Sequence, residues 1–205
     1  MPAAPPELML ARSGPLPKDD SWSFELKWDG FRAVVSTEDG LCVRSRRGWD
    51  MTDLLPELGA SRPGLLLDGE LVAFDEDGLP SFPLLCERML HRSSRPIPFA
   101  YMVFDVLSVD GESVMRHPFS VRRHLLDEYD VETPQCPVSR LHDDGELLFW
   151  AVCERGLEGV VAKRLSDPYK PGERGWVKTK NRGYWRFPIE VAAMASRLSP
   201  SSGSR

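Results

Sequence analysis

No stretch of this 205-residue sequence approaches the ~18 consecutive apolar residues of a membrane-spanning helix. The opening MPAAPPELML has neither a basic leader nor a continuous apolar segment, so it does not read as a secretory signal. These two absences assign the chain to the cytoplasm, with no membrane partner. Cysteine is sparse. Cys42, Cys86, Cys136 and Cys153 form no C-x-x-C pair, which argues against a zinc site, and without export they read as free thiols. His91, His117, His124 and His142 are scattered and read as ordinary surface or half-buried imidazoles. Positive charge is also short. A net charge of -5 argues against a strong stand-alone DNA clamp, but not against a local basic patch. One dense patch is Arg44, Arg46 and Arg47; another is Arg174, Lys178, Lys180, Arg182 and Arg186. No internal repeat is present.

What is there is an ordinary globular balance, 41% hydrophobic and 28% charged, in a length that fills one core. Residues 1–20 are proline-rich and read as an extended arm, residues 191–205 as a frayed tail, and 21–190 as one domain. Trp22, Phe24, Leu26 and Trp28 alternate with Ser23, Glu25 and Lys27, which predicts a half-buried strand over 22–28. Asp29-Gly30 is a turn signal, and 31–36 reads as the strand returning beside the first. Further strands are expected at 41–45, 65–75, 97–107, 159–164 and 175–180. Helical spacing marks 52–59, with Thr52 or Asp53 as its cap, and then 82–91, 119–129 and 144–154. Residues 181–195 read as a final helix or an extension along the domain. This order implies an α+β fold: two antiparallel β-sheets flanked by helices.

Several charged residues interrupt the strand patterns. Lys27 lies between Glu25 and Asp29, just before the turn. Taken alone, such a lysine is a solvated surface group. Arg32 follows on the next strand, and a cation close to an amine lowers its pKa and frees it to attack. Glu70 lies in Leu67-Asp68-Gly69-Glu70-Leu71, and Asp105 in the apolar run from Tyr101 to Leu107. Acids in such strands are costly unless paired or liganded, and Gly69 permits close approach of backbone or ligand. Phe104 alone reads as a core aromatic, and Glu158 alone as a solvated acid in a connection. Lys178 and Lys180 point the same way on one strand. Side by side they repel, unless they converge on a polyphosphate and withdraw charge from phosphorus.

In their order along the chain these segments resemble one superfamily, the covalent nucleotidyltransferases. Lys27-Trp28-Asp29-Gly30-Phe31-Arg32 resembles motif I (KxDGxR), and Ser45-Arg46-Arg47-Gly48 resembles motif Ia. Asp68-Gly69-Glu70 resembles motif III, Tyr101 through Leu107 motif IIIa, Glu158 through Lys163 motif IV (EGxVxK) and Trp176 through Lys180 motif V (WxKxK). The match runs from about residue 22 to 186. KWDGFR and SRRG are similar to bacterial ATP-dependent DNA ligases, including the ligase domains linked to end joining. The resemblance implies an ATP-grasp-like nucleotidyltransferase (DNA ligase adenylation) domain.

The same resemblance implies site roles. Lys27 attacks the α-phosphorus of ATP, forms lysyl-AMP and releases pyrophosphate; AMP then moves to the 5′-phosphate of nicked duplex DNA. Glu25 and the backbone at Leu26 read the adenine edge, and Phe104 stacks on the base. Arg32, Arg47 and Glu70 hold ribose and phosphates, and Lys178 and Lys180 contact the α-phosphate. Glu158 binds Mg2+ or Mn2+, with help from Asp29 or Glu70. Residues 181–205 are too few for the five strands of an OB barrel. The expectation is therefore no OB-fold domain, and a repair or OB-fold partner protein supplied in trans. The implied address is the bacterial nucleoid within the cytoplasm. Two other readings stand beside this one: a non-catalytic nucleotide- or DNA-binding module, and an RNA ligase or guanylyltransferase.

Overall fold

The computed structural model describes residues 7–60, 62–90 and 96–186. The first six residues of the expected arm, His91, the expected tail at 191–205 and most of the 181–195 segment lie outside the described residues. The strands are β1 (Ala11–Ser13), β2 (Trp22–Leu26), β3 (Phe31–Ser36), β4 (Cys42–Ser45), β5 (Leu65–Ala73), β6 (Phe99–Val109), β7 (Glu112–Ser113), β8 (Gly159–Arg164) and β9 (Trp176–Lys180). The helices are α1 (Phe82–Met89), α2 (Phe119–Glu128) and α3 (Gly145–Glu154). Two sheets form, one in the order β1-β9-β8-β2 and one in the order β4-β3-β5-β6-β7.

The five-stranded sheet is antiparallel, as expected. The four-stranded sheet is mixed, because β1 runs parallel to β9 with Ala11 opposite Trp176. Part of the expected arm is therefore a strand, and Leu8 and Met9 just before it are buried. Three residues between prolines are too short for an alternation to show in the sequence.

A second difference concerns the Asp29-Gly30 turn. No hairpin forms there. β2 pairs with β8, whereas β3 pairs with β4 and β5. Residues 27–30 thus cross from one sheet to the other. β2 is also buried on both faces rather than half-buried, since Ser23 and Glu25 are as enclosed as Trp22 and Phe24.

The segment 52–59 is two 3-10 turns, Thr52–Leu54 and Pro56–Ala60, not one helix. Pro56 has no N–H to continue the first. Neither Thr52 nor Asp53 caps it: Met51 holds that position, and Thr52 Oγ1 accepts from Val43 N–H at 3.0 Å. The helix expected at 144–154 forms over Gly145–Glu154, and Asp144 accepts from Leu147 N–H at 2.9 Å as its N-cap. Among the described residues no helix is long and apolar enough to cross a membrane.

Helices α1 and α2 pack on the five-stranded sheet, burying Val35, Leu67, Leu71, Leu85, Tyr101 and Leu126 in one cluster. Helix α3 covers the four-stranded sheet through Phe24, Leu148, Val152, Val160 and Ala162. The remaining faces meet through a smaller cluster that includes Val34, Phe104, Leu107 and Trp176. Two register shifts between β5 and β6 leave Leu107 and Phe104 without ladder partners, and both side chains join this cluster. Such bulges re-aim side chains toward a site.

Candidate active site

A cleft of about 850 Å3 opens between the sheets. That volume suits a small-molecule ligand. Strand parity builds one wall: Glu25, Val161, Lys163, Trp176 and Lys178 alternate onto one face of the four-stranded sheet, and all line the cleft. Arg32, Glu70 and Phe104 line it from the other sheet.

The floor is a buried ion pair wrapped in rings. Lys163 Nζ donates to Glu25 Oε1 at 3.0 Å and to the carbonyl oxygen of Phe104 at 2.9 Å. The ammonium lies 4.4 Å from the Phe104 ring centroid and 4.6 Å from that of Trp176. Ring quadrupoles stabilise a cation held there. Burial pushes the Glu25 carboxyl up from its ordinary pKa and the Lys163 ammonium down, each opposed by its partner.

Lys27 lies just beyond β2, held by its N–H to the carbonyl oxygen of Gly159 at 2.9 Å. Its Nζ is 2.7 Å from Glu158 Oε1, and Lys180 Nζ is 3.1 Å from the same atom. Three sequence motifs thus meet at one carboxylate. Glu158 is only 4% exposed, and among the described residues its Oε2 is buried without a hydrogen-bond partner. Glu70 is half-buried in the same cleft. Burial raises its carboxyl pKa to about 8, opposed by Lys27 and Arg32 and assisted by Glu158 and Asp68.

The orphaned Glu158 oxygen fits a divalent cation, a hard acceptor of carboxylate oxygens. Among the described residues no group of three or more His, Cys, Asp or Glu is placed to hold a metal. A cation here would rest on one or two carboxylates plus substrate phosphate, which is the habit of Mg2+.

The other expected residues are placed unequally. Lys178 and the backbone at Leu26 line the cleft, and Arg47 is exposed at its mouth. Arg32 also lines the cleft, yet its guanidinium is engaged by Asp68, with Nε to Oδ1 at 3.0 Å and Nη2 to Oδ2 at 2.6 Å. Tyr169 Oη donates to the same Oδ2 at 2.7 Å. Asp29, expected as a helper in metal binding, already has a hydrogen-bond partner on each oxygen. Tyr184 Oη donates to its Oδ2 at 2.5 Å and Arg186 bonds its Oδ1. Asp105 is structural: it pairs with the fully buried Arg122 at 2.7 and 2.9 Å, fastening α2 to β6.

Sequence reasoning gave no role to Lys163, Trp176, Tyr169 or Tyr184, and took Arg186 only as part of a basic patch. The first two could have been found by carrying strand parity through β8 and β9. No local signal pairs Tyr184 with Asp29, 155 positions away.

Residues 9–180 match the family model for the ATP dependent DNA ligase domain. The chain is 37% identical over 182 residues to the multifunctional non-homologous end joining protein LigD of Mycolicibacterium smegmatis, covering 84% of this chain and 23% of that protein. It is 35% identical over 222 residues to DNA ligase C1 of the same organism, covering 98% of this chain and 63% of that one. The crystal structure of the ligase domain of Mycobacterium tuberculosis LigD superposes with a TM-score of 0.74 at 34% identity, over 85% of this chain and 60% of the other. The chain thus spans about a quarter of the LigD relative. With the family model covering nearly all of both sheets, and the two lysines and buried glutamate assembled beside the cleft, the chain belongs to the family of ATP-dependent DNA ligase domains.

Proposed function

We propose that this chain is the adenylating unit of an ATP-dependent DNA ligase, with Lys27 as its nucleophile. One observation carries the reading: Lys27 and Lys180 converge on the buried Glu158 beside a nucleotide-sized cleft. Glu158 Oε1 aims the Lys27 amine and accepts the proton it sheds. The freed lone pair forms the N–P bond at the α-phosphorus of ATP as the bond to the bridging oxygen breaks, and pyrophosphate leaves. Lys178 and Lys180 offset negative charge on the phosphate oxygens. Phe104 and Trp176 offer ring surface to adenine, and Glu25 with the Leu26 backbone offers polar atoms to its edge. Mg2+ or Mn2+ on Glu158, with Glu70 beside it, supplies Lewis-acid charge when bound. Arg32 and Arg47 serve the ribose and phosphates.

AMP then passes to the 5′-phosphate of nicked duplex DNA, and a 3′-hydroxyl displaces it. The end-joining name of the LigD relatives supports a role in DNA repair in the cytoplasm, at the nucleoid. We assign the domain to residues 21–190, and include a repair or OB-fold protein among its proposed partners. Intact mass with and without ATP and Mg2+ tests the reading. The expected result is a gain of one AMP that Lys27→Ala abolishes; a mutant that keeps the gain sinks it. Competing GTP against ATP, and nicked RNA against nicked DNA, separates it from a guanylyltransferase or an RNA ligase.

A further inference from the structure

Trp49 is 46% exposed, and it stands at the mouth of the cleft rather than on a distant face. Its setting is rigid. Ser45 N–H donates to the Trp49 carbonyl at 2.9 Å, Gly48 N–H to the Ser45 carbonyl at 2.8 Å, and Trp49 N–H to Ser45 Oγ at 3.0 Å. Arg46 N–H donates to the Arg32 carbonyl at 3.1 Å and fixes the turn to β3. The indole is therefore displayed by a braced turn, not left out by a loose one. Three exposed arginines share the same mouth, Arg46 and Arg47 beside it and Arg174 from the segment just before β9. On a chain of net charge -5 this is a local concentration of cations around one flat ring. Guanidinium groups engage phosphates, but a phosphate contact offers nothing to a base. An indole does, through stacking that tolerates any base.

We propose that Trp49 stacks on the terminal nucleotide that carries the 5′-phosphate at a break in duplex DNA, while Arg46 and Arg174 hold the flanking phosphates. The proposal rests on the ligase reading, because a strand end that receives AMP from Lys27 enters the cleft past this mouth. It adds a specificity-determining residue for broken DNA.

The test uses nicked duplex with 2-aminopurine as the 5′-phosphorylated nucleotide. Wild-type chain, Trp49→Ala and Trp49→Phe are compared after matching their AMP loading by intact mass. Wild-type chain quenches the probe, Trp49→Ala does not, and Trp49→Phe keeps part of the quench. In AMP transfer, Trp49→Ala raises KM for nicked duplex roughly 5- to 150-fold with kcat within about twofold, the range that one stacked base is worth. Binding to an unbroken duplex of the same sequence falls much less. Quenching that survives in Trp49→Ala, or an equal loss on broken and unbroken duplex, overturns the proposal. If wild-type chain takes no AMP, the ligase reading fails; the quench and binding comparisons, run on unloaded chain, still decide the role of Trp49.

Discussion

Glu158 carries two ammonium groups on one oxygen and, among the described residues, no hydrogen-bond partner on the other. That imbalance is the ground on which we assign it to the proposed site rather than to a purely structural salt bridge. A structural pair would satisfy both oxygens, as Asp68 and Asp105 do with their arginines. Glu70 shows the same environment through its titration. Its carboxyl moves from an ordinary 4.5 to about 8, chiefly by burial. The folded chain therefore holds a proton that the unfolded chain has lost. This contribution to stability is complete below about pH 4.5 and is lost as the pH rises through about 8. Urea midpoints of the chain without nucleotide or metal should fall between pH 6 and 9, with a slope from this group of at most about 1.4 kcal/mol per pH unit. Glu70→Gln should flatten that slope. An identical pH profile in the mutant would contradict the assignment.

Among the elements, the crossover of residues 27–30 decides the most. A hairpin would have laid β3 beside β2 and left Lys27 on a sheet surface. Leaving one sheet for the other brings the lysine to the cleft instead. Gly30 is required there for a steric reason. A Cβ on it would lie 1.9 Å from the Leu71 carbonyl oxygen, which is backbone of β5 and cannot rotate away. Gly30→Ala should cost about 1–3 kcal/mol, read as a lower urea midpoint, and should cut self-adenylation by displacing Lys27. A mutant with wild-type stability and AMP uptake would show that the crossover has slack. The glycine itself was legible in the motif. Its reason was not, because the colliding atom belongs to another strand.

At the scale of the molecule, Lys163 ties the two sheets at the base of the cleft. It leaves β8 and reaches both Glu25 on β2 and the Phe104 carbonyl on β6. Lys163→Met strands a buried carboxylate, and breaking such a pair costs about 3–5 kcal/mol. Denaturant unfolding should show that loss. Glu25→Gln in the same chain should recover part of it, since a neutral amide costs less to bury than an unpaired charge. Absence of any recovery would mean that Lys163 acts mainly through Phe104.

The sequence alone determined the strand and helix segments with clear periodicity, the ends of α3, and the order of the motifs that carry Lys27, Glu70, Glu158, Lys178 and Lys180. These are local properties: alternation, helical spacing and side-chain chemistry at fixed spacing. Tertiary structure decided the rest. It recruited Ala11–Ser13 into a parallel pair, sent β2 and β3 to different sheets and engaged Arg32 with Asp68. It closed Asp29 with Tyr184 and Arg186 and buried Lys163 against Glu25. Each of these joins residues far apart in the chain. Which distant charge meets which is set by the packing of two sheets, and no stretch of neighbouring residues encodes it.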